Sequence, residues 1–473
     1  MTTNKKITIN TINDDYDLEI YHLTRLFFPS STVKVDHKQI INDKVIINQV
    51  EITTLEKQTF NAQTNQLFKG NQITYKRKLK RYAKQCVYQA LLKHTGTMLP
   101  WGCLTGVRPT RVAYDLIEEG TDISVLKETM EKEFFVSPSK AKLVYETIKN
   151  QKSIIKNEHL ISLYINIPVC PSRCSYCSFI SSSLSASKDI LPKYVETLIE
   201  EIRQTKKMLY DKAYVVRTIY IGGGTPTVLS AQQLDMLLSE LSYPVSEFTV
   251  ECGRADTISE EKLIVLKKHG VTRICINPQT FVQKTLKLIG RTHTNEQVFS
   301  AYMLAVKHGF VVNMDFIAGL EDETVSNFKK TMNIAMELSP QNITIHTLFL
   351  KNKTQLEGKD ELLENRDKRI ESMINYSYDI LSKNGYKPYY LYRQKNQLEG
   401  LENVGYAQDG KICLFNIDTM EETLGVVACG ANAISKRVRG KNQIITRYQN
   451  AKTLLEYTQK IDEICAKKKQ LFD

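Results

Sequence analysis

Residues 164–179 read YINIPVCPSRCSYCSF, and this stretch decides the fold and chemistry predicted for the chain. Cys170, Cys174 and Cys177 form the pattern CxxxCxxC directly after a β-branched run that is typical of a buried strand. Thiolates are soft ligands that suit zinc or iron–sulfur clusters. No further Cys or His follows closely, whereas a closed structural zinc site has four protein ligands. The pattern indicates a metal centre that leaves one position for a reactant. A zinc site completed from elsewhere in the chain is the alternative.

The sequence after this point alternates short β-branched runs with amphipathic segments. The predicted strands are 160–167, 215–221, 247–252, 272–277, 311–318 and 342–348. The predicted helices begin near Lys188, Ser230, Ser259, Asn295, Glu323 and Lys359. Strands that are separated by helices predict an α/β fold with a parallel sheet, here a partial parallel (β/α)6 barrel. In such a barrel the chemistry lies at the C-terminal ends of the strands.

Both ends of the chain depart from this alternation. Residues 1–155 mix short strands with helices and predict an N-terminal α+β domain. The barrel is predicted to span residues 156–385. Residues 386–473 begin with the aromatic-rich run YKPYYLYRQKN and predict a C-terminal α/β cap. The sequence therefore predicts three domains.

Composition limits the class of protein. The chain has 473 residues, of which 42% are hydrophobic and 25% charged, as in ordinary globular proteins. It contains no apolar run of about eighteen residues, so no membrane span is predicted. The first residues are polar and acidic without an apolar segment, which argues against a secretory signal and predicts a cytoplasmic location. In that reducing compartment, clustered cysteines indicate metal or redox chemistry. The net charge of +12 fits an anionic partner without identifying it.

Glycines and polar side chains follow the predicted strands. They are Gly222, Gly223, Gly224, Thr225, Glu251, Gln279, Arg291 and Asp315. Consecutive glycines let a ligand lie against bare backbone N–H and C=O groups. Glu251 can accept hydrogen bonds from a ribose diol or an ammonium group, and Arg291 can pair with a carboxylate through two nitrogens. Taken singly, a turn and ordinary surface charges explain these residues as well.

CxxxCxxC after the first strand of a βα barrel resembles the cluster loop of the radical SAM superfamily. In that family three cysteines hold a [4Fe–4S] cluster, and its free iron binds S-adenosyl-L-methionine (SAM). One electron from the cluster cleaves SAM, and the resulting 5′-deoxyadenosyl radical removes a substrate hydrogen. The resemblance implies that Cys170, Cys174 and Cys177 are the cluster ligands. Tyr176 and Phe179 match aromatic positions of the family loop.

The resemblance also implies which residues contact SAM. They are Tyr164, Phe179, Gly222, Gly223, Gly224, Thr225, Glu251, Gln279, Arg291 and Asp315. Tyr164 is also the expected catalytic residue, because a matching tyrosine lies beside the cluster-bound SAM in these enzymes. Asn166 is a departure, since close relatives usually have His at this position. Cys252 and Cys275 are expected to be buried strand residues that pack as small hydrophobic groups.

Three further stretches narrow the choice within the superfamily. Residues 100–111 (PWGCLTGVRPTR), 346–356 (HTLFLKNKTQL) and 389–407 (YYLYRQKNQLEGLENVGYA) resemble the HemZ-type coproporphyrinogen dehydrogenases. That resemblance implies oxidative decarboxylation of coproporphyrinogen III to protoporphyrinogen IX in anaerobic haem biosynthesis. It also implies a low-potential electron donor of the flavodoxin or ferredoxin type and an electron acceptor. Possible cationic partners for the substrate propionates are Arg254, Arg393 and Lys395.

Other functions remain open on the sequence. HemW-type haem chaperones share CxxxCxxC and GGGTPT, but they typically carry a tryptophan signature in the C-terminal region, where this chain has RQKN and no tryptophan. A radical SAM methyltransferase that degrades haem is a second alternative. The basic run 76–84 suggests an RNA-modifying enzyme, although no RNA-binding module is recognisable and a solvated helix face also explains the run.

Overall fold

The structure is a computed structural model that describes residues 7–11, 16–28, 32–68, 72–106, 108–151, 154–155, 157–177, 182–348, 360–393, 401–440 and 444–473, with backbone alone at 72–74 and 360–367. The chain divides into two compact units. The first comprises residues 1–150, 349–371 and 391–403, and the second comprises residues 151–348, 372–390 and 404–473. The border at 150 lies close to the predicted boundary at 155. The division into three domains stays a prediction.

The first unit contains a mixed sheet and five helices along its N-terminal part. Its elements are β1 (Ile7–Thr11), α1 (Asp17–Phe27), β2 (Val33–Asn42), β3 (Val45–Thr54), β4 (Thr59–Leu67), α2 (Gln72–Thr95), α3 (Pro109–Glu118), α4 (Leu126–Phe134) and α5 (Pro138–Asn150). Within the described residues the sheet order is β1-β2-β3-β4, with β1 parallel to β2 and the other pairs antiparallel. Alternate residues of β2 and β3 are buried, because one sheet face packs against helices. The predicted α+β character of this region is therefore observed.

The second unit begins with alternating strands and helices. They are β5 (Leu160–Ile167), β6 (Val169–Cys170), β7 (Ser182–Ser183), α6 (Leu184–Ser187), α7 (Leu191–Asp211), β8 (Val215–Gly223), α8 (Ala231–Ser239), β9 (Glu247–Glu251), α9 (Glu260–Lys268), β10 (Arg273–Cys275), α10 (Gln283–Leu288), α11 (Asn295–Lys307), β11 (Val311–Ala318), α12 (Val325–Leu338) and β12 (Asn342–Thr347). The Ser230 and Ser259 side chains cap α8 and α9, so these helices begin where the sequence predicts.

The remaining elements follow the sixth predicted strand. They are α13 (Asp360–Lys383), β13 (Lys387–Arg393), β14 (Glu402–Ala407), α14 (Leu414–Glu421), β15 (Gly425–Cys429), β16 (Ile434–Arg439), β17 (Ile444–Gln449), α15 (Leu454–Gln459) and α16 (Ile461–Leu471). In the part of the chain that the structure describes, no helix has the length and apolar character needed to cross a bilayer.

One large sheet organises these strands. Among the described residues its order is β13-β14-β12-β11-β10-β9-β8-β5-β15-β16-β17. The strands β5, β8, β9, β10, β11 and β12 are successive neighbours and all parallel, which confirms the predicted α/β fold with its parallel βα sheet. β14 adds antiparallel to β12, and β15 adds parallel to β5. Residues after 386 thus extend both sides of the sheet, which the sequence pattern did not indicate.

Helix α14 closes the N-terminal ends of the parallel strands. Glu247 at the start of β9 accepts hydrogen bonds from the backbone N–H groups of Leu414 and Phe415, at 3.1 and 3.3 Å. Arg217 near the start of β8 pairs with Asp418 of α14 at 2.7 Å, and both side chains are buried. The carboxylate at the helix N-terminus satisfies N–H groups that lack intrahelical partners. Helix α14 covers this end, and in parallel βα folds the chemistry lies at the opposite, C-terminal ends of the strands.

The basic run 76–84 on α2 is not one solvated face. Three of its cations pair with carboxylates inside the first unit. These pairs are Lys78–Glu119, Arg81–Asp115 and Lys84–Glu19. Lys78 and Lys84 are buried, whereas Lys76 and Arg77 are exposed. Half of the run therefore stabilises the unit, and this observation weakens the interpretation as an RNA-binding surface.

Candidate active site

The cysteine loop leaves β5 and is fastened to the segment after α10. Cys170 ends β6, and the Cys177 N–H donates to the Cys174 carbonyl at 3.2 Å, which turns the loop. The Ser172 hydroxyl donates to the Gly290 carbonyl at 3.1 Å. A Cβ at Gly290 would lie 3.1 Å from a loop carbonyl, so the two segments are in close contact. The three thiols are therefore held on one ordered loop at the C-terminal end of the sheet.

Arg254 clamps this loop from the side. Its guanidinium donates to the Ser172 hydroxyl at 3.0 Å and to the Thr292 hydroxyl at 3.2 Å. Two further bonds, at 3.0 and 2.8 Å, run to the carboxylate of Asp256. Only 3% of Arg254 is exposed. Four of its five N–H donors are therefore committed to Ser172, Thr292 and Asp256, which argues against a role for Arg254 in binding a substrate propionate.

The other two predicted propionate partners are Arg393 and Lys395. Arg393 belongs to the first unit, where it is 5% exposed, donates to the Leu104 carbonyl and lies 5.5 Å from the Trp101 ring centroid. Burial lowers the pKa of Arg393 to about 10, although the charge of Glu402 opposes the shift. Its burial argues against a role as a surface cation. Lys395 lies outside the described residues.

The groups around the thiols suit a soft metal centre. All ten cysteines, each within the described part of the chain, are free of disulfides. The Thr225 hydroxyl donates to the Cys170 sulfur at 3.6 Å. Burial lowers the pKa of Arg291, but its contacts with Tyr176 and Cys174 outweigh that effect and raise it. Three thiols on one short loop beside a cation fit an iron–sulfur cluster better than a hard metal ion.

Among the described residues, no three His, Cys, Asp or Glu side chains are placed so that they could hold a single metal ion. A cluster that takes one thiolate per iron atom does not need such convergence. Three thiols on one loop are the donors that such a cluster requires.

The glycines at the end of β8 leave no room for side chains. A Cβ at Gly222 would lie 2.9 Å from Glu251 Oε2, and one at Gly223 would lie 1.8 Å from Asn166 Oδ1. Gly223 also has a φ of +104°, a conformation that glycine adopts without steric cost. A Cβ at Gly224 would lie 2.5 Å from a backbone oxygen. The absence of side chains at this strand end is thus required by its packing against Glu251, Asn166 and Val169.

Two carboxylates with opposite pKa shifts face this strand end. Burial, together with the charge of Asp315, raises the pKa of Glu251 to about 7, although a 2.6 Å hydrogen bond from Tyr220 lowers it. Burial would also raise the pKa of Asp315, but hydrogen bonding and charge from His346 outweigh it and lower the pKa. Asn313 donates to Asp315 Oδ1 at 2.8 Å. A site with an ionised and a half-ionised carboxylate favours a cationic ligand.

Gln279 presents an unused acceptor to the same region. Its backbone is held by Asp315 and Ile317, because its N–H donates to the Asp315 carbonyl at 2.9 Å and its carbonyl accepts from the Ile317 N–H at 3.0 Å. Its φ is +69°, which is uncommon for a residue with a side chain. Gln279 Oε1 is buried and has no hydrogen-bond partner among the described residues. An unpaired buried acceptor costs about 1–3 kcal/mol, so a ligand N–H or O–H donor would fit here.

Tyr164 lies in an aromatic stack on β5. Its ring is 6.2 Å from that of Tyr220 and 6.0 Å from that of Phe415, with interplanar angles of 24° and 17°. Burial, with the charge of Glu251, raises the pKa of Tyr164, so the hydroxyl stays a donor and reaches Asn166 Oδ1 at 3.2 Å. Asn166, the departure from the usual His, therefore holds Tyr164.

The predicted site residues meet at the C-terminal ends of the strands, except Phe179, which lies outside the described residues. Their roles as cofactor contacts stay predictions. Sequence reasoning missed Tyr220, Phe415 and His346. Tyr220 precedes Gly222 by two residues and so shares its strand face, a signal that was available. Phe415 comes from α14, and no sequence pattern around it indicated that it would lie near Tyr164.

Comparison with known proteins identifies the family of the chain. The sequence model of the radical SAM superfamily matches residues 164–335. The oxygen-independent coproporphyrinogen-III oxidase-like protein HemZ of Bacillus subtilis is 35% identical over 389 residues, which cover 80% of this chain and 78% of that protein. The heme chaperone HemW of Lactococcus lactis is 37% identical over 238 residues, or 48% of this chain and 60% of that protein.

A solved structure shows the same fold. It is that of coproporphyrinogen III oxidase (HemN) from Escherichia coli, a radical SAM enzyme, with a TM-score of 0.51, 21% identity, and coverage of 66% of this chain and 71% of the other. The parallel sheet and its three-cysteine loop thus define a radical SAM protein, whose cofactors are a [4Fe–4S] cluster and SAM. Within that superfamily the chain belongs to the HemZ family, because the Bacillus protein matches it along most of both lengths.

Proposed function

We propose that this chain catalyses the oxidative decarboxylation of coproporphyrinogen III to protoporphyrinogen IX. The observation that supports this substrate is the extent of the match to HemZ, which covers 80% of the chain. The superfamily model matches only residues 164–335. It therefore supports the chemistry that radical SAM enzymes share, but not a particular substrate. The three stretches that resemble HemZ-type dehydrogenases all lie outside that range.

Each of the two propionates undergoes the same balanced change. A hydrogen atom leaves the β carbon, the bond between the α carbon and the carboxylate breaks, and CO₂ departs. The remaining electron passes to a one-electron acceptor, and a vinyl group forms. The proposal therefore includes a low-potential donor of the flavodoxin or ferredoxin type, an acceptor, and a cytoplasmic location.

The residues of this chain bind and orient the cofactors. Cys170, Cys174 and Cys177 would hold the cluster, and when bound the cofactors supply the electron and the radical that removes the substrate hydrogen. Glu251 would accept hydrogen bonds from SAM, and the unpaired Gln279 Oε1 would accept one more. In this proposal the Glu251 carboxylate, whose pKa is raised to about 7, binds the cationic ligand. The glycines at the end of β8 let the ligand approach the backbone closely.

The experiment is a product assay under anaerobic conditions. Reconstituted protein receives coproporphyrinogen III, SAM, a low-potential reductant and an acceptor, and the porphyrins are separated by chromatography. We expect protoporphyrinogen IX from the unaltered protein and none from Cys174→Ala. Cys465→Ala, at a half-buried cysteine on α16, is the matched control and should stay active. Formation of 5′-deoxyadenosine without loss of CO₂ would overturn the substrate assignment.

A haem chaperone is the second candidate function. The identity with Lactococcus lactis HemW, 37%, is slightly higher than that with HemZ, although the match covers only 48% of this chain. This candidate predicts stoichiometric haem binding and transfer of haem to an acceptor protein without consumption of porphyrinogen. Haem titration followed by absorbance, beside the product assay, separates the two functions.

A further inference from the structure

A buried ion pair lies behind the strand end that carries Tyr164. Glu201 of α7 and Lys468 of α16 are 2.6 Å apart, and their side chains are 0% and 1% exposed. Glu201 also accepts hydrogen bonds from the Tyr457 hydroxyl at 2.5 Å and from Asn450 Nδ2 at 2.9 Å. A buried pair adds little net stability because both charges lose their hydration, but removal of one partner leaves a strongly unfavourable charge. The role of the Glu201–Lys468 pair is therefore indicated by the other residues that the pair contacts.

The pair is fixed to the turn that follows β15. Glu201 Oε2 accepts the Gly430 N–H at 2.6 Å, and the Gly430 carbonyl accepts from Asn450 Nδ2 at 2.9 Å. Gly430 has a φ of +106°, and a Cβ there would lie 2.5 Å from the Asn166 carbonyl oxygen. The charged carboxylate thus holds a close-packed turn against the end of β5.

The same turn holds Asn166 through two contacts. The Asn166 amide donates to the Ala431 carbonyl at 2.6 Å. The Tyr194 hydroxyl accepts the Ala431 N–H at 3.2 Å and donates to the Asn166 carbonyl at 2.6 Å. The side chain of Asn166 is therefore tied to Ala431 directly, and its backbone is tied to Ala431 through Tyr194.

Asn166 connects the turn at residues 430–431 to Tyr164 and Gly223, which are predicted SAM contacts. Its Oδ1 accepts the Tyr164 hydroxyl at 3.2 Å and lies where a Cβ of Gly223 would be. A shift of the turn would move this oxygen, and with it both the Tyr164 ring and the glycine strand end. The contacts form a continuous buried chain from α16 to the predicted SAM surface.

We propose that Glu201 and Lys468 are positioning residues for SAM, which act through the turn at 430–431 and Asn166. Among the described residues, the hydrogen bonds of the pair run to none of the predicted cofactor contacts. It keeps the turn in the one arrangement that presents Tyr164 and Gly223 to the ligand. This inference rests on the SAM site and is independent of the porphyrinogen substrate.

The test measures SAM binding to anaerobically reconstituted protein by equilibrium dialysis, without porphyrinogen. In Lys468→Met we expect the Kd for SAM to rise about tenfold, a typical size for coupling through a packed network. Iron content should stay at the level of the unaltered protein, because the cluster loop is not part of the network. Lys467→Met is the matched control, since Lys467 is exposed on the same helix and pairs with exposed Glu463.

A second variant separates positioning from folding. In Glu201→Gln combined with Lys468→Met no uncompensated charge remains, but one amide oxygen replaces two acceptor oxygens, so the Kd should recover only part of the loss. At saturating SAM the electron paramagnetic resonance spectrum of the reduced cluster should match that of the unaltered protein in all variants. Lys468→Met with lowered thermal stability but unchanged Kd would overturn the proposal, as would loss of iron. If Lys468→Met does not fold, Tyr457→Phe replaces it, and an unchanged Kd again overturns the proposal.

Discussion

The Tyr220 hydroxyl donates a hydrogen bond of 2.6 Å to Glu251 Oε1 across neighbouring strands β8 and β9. The same Tyr220 ring stacks on Phe415 with centroids 4.3 Å apart. Phe415 belongs to α14, which closes the opposite end of the strands. One tyrosine therefore joins the closed end of the sheet to the carboxylate of the predicted SAM site, and the ionisation of that carboxylate leads to the first prediction.

SAM binding is expected to strengthen as the pH rises through 7. The pKa of Glu251 is raised to about 7 in the free protein, and a cationic ligand favours its charged form. If only Glu251 titrates, the affinity should rise roughly eightfold from about pH 6 to about pH 7.5. Equilibrium dialysis at a series of pH values measures this. The amino group of SAM itself titrates near the upper limit, so Glu251→Gln serves as the control and should show only the ligand's own pH dependence.

Glu251→Gln is expected to stabilise the cofactor-free fold while it weakens SAM binding. The folded-state pKa of about 7 exceeds the ordinary value of 4.5, so Glu251 destabilises the fold progressively as the pH rises from 4.5 to 7. The full cost above that window is about 3 kcal/mol. Chemical denaturation at about pH 8 should show a gain of that order, and near about pH 4 the two proteins should be alike. A loss of stability at the higher pH would contradict the account.

Gly223→Ala should abolish SAM binding for a steric reason. Both Gly223 and Gly270 have positive φ, at +104° and +78°, but only Gly223 has an atom within reach of an added Cβ. Gly270→Ala should therefore cost only about 1 kcal/mol of backbone strain and keep normal affinity. Gly223→Ala must in addition displace Asn166 Oδ1, which holds Tyr164. Comparable Kd values for the two variants would show that the strand end does not contact the ligand.

Arg254→Met should loosen the cluster without touching a thiol. The Arg254 guanidinium holds the Ser172 hydroxyl of the loop, and loss of groups that orient metal ligands typically lowers metal affinity about tenfold or more. Iron release to a chelator, followed by absorbance, should be faster than in the unaltered protein. Arg203→Met is the control, since Arg203 is exposed and pairs with Glu240 on the surface. Equal rates of iron release from both variants would show that the hydrogen bond from Arg254 to Ser172 does not stabilise the cluster.

Much of the barrel could be predicted because its signals are local. The strand 160–167 has the bounds that the β-branched run predicts, and Ser230 marks the start of α8 by its capping side chain. The contact between Tyr220 and Phe415 joins residues far apart in the chain, and no periodicity encodes such a pairing. The sequence did not indicate that the strands after residue 386 join this sheet, because their neighbours in the sheet lie far away in sequence.

The charged residues show the same limit. Arg254 follows a strand end and was interpreted as a free cation, since a sequence does not reveal that Asp256 and Ser172 occupy its donors. Lys78 in the basic run was interpreted as solvated, yet it is buried against Glu119. Whether a cation has a buried partner depends on the packing of residues that are distant in sequence. For this reason the structure changes the interpretation of both Arg254 and Lys78.

The most direct test of the proposed function follows a single hydrogen. Coproporphyrinogen III deuterated at the β carbons of its propionates is turned over anaerobically with SAM, reductant and acceptor, and the 5′-deoxyadenosine is analysed by mass spectrometry. The account predicts deuterium in the deoxyadenosine together with release of CO₂ and formation of vinyl groups. Deoxyadenosine that carries no deuterium, with the porphyrinogen recovered intact, would contradict it.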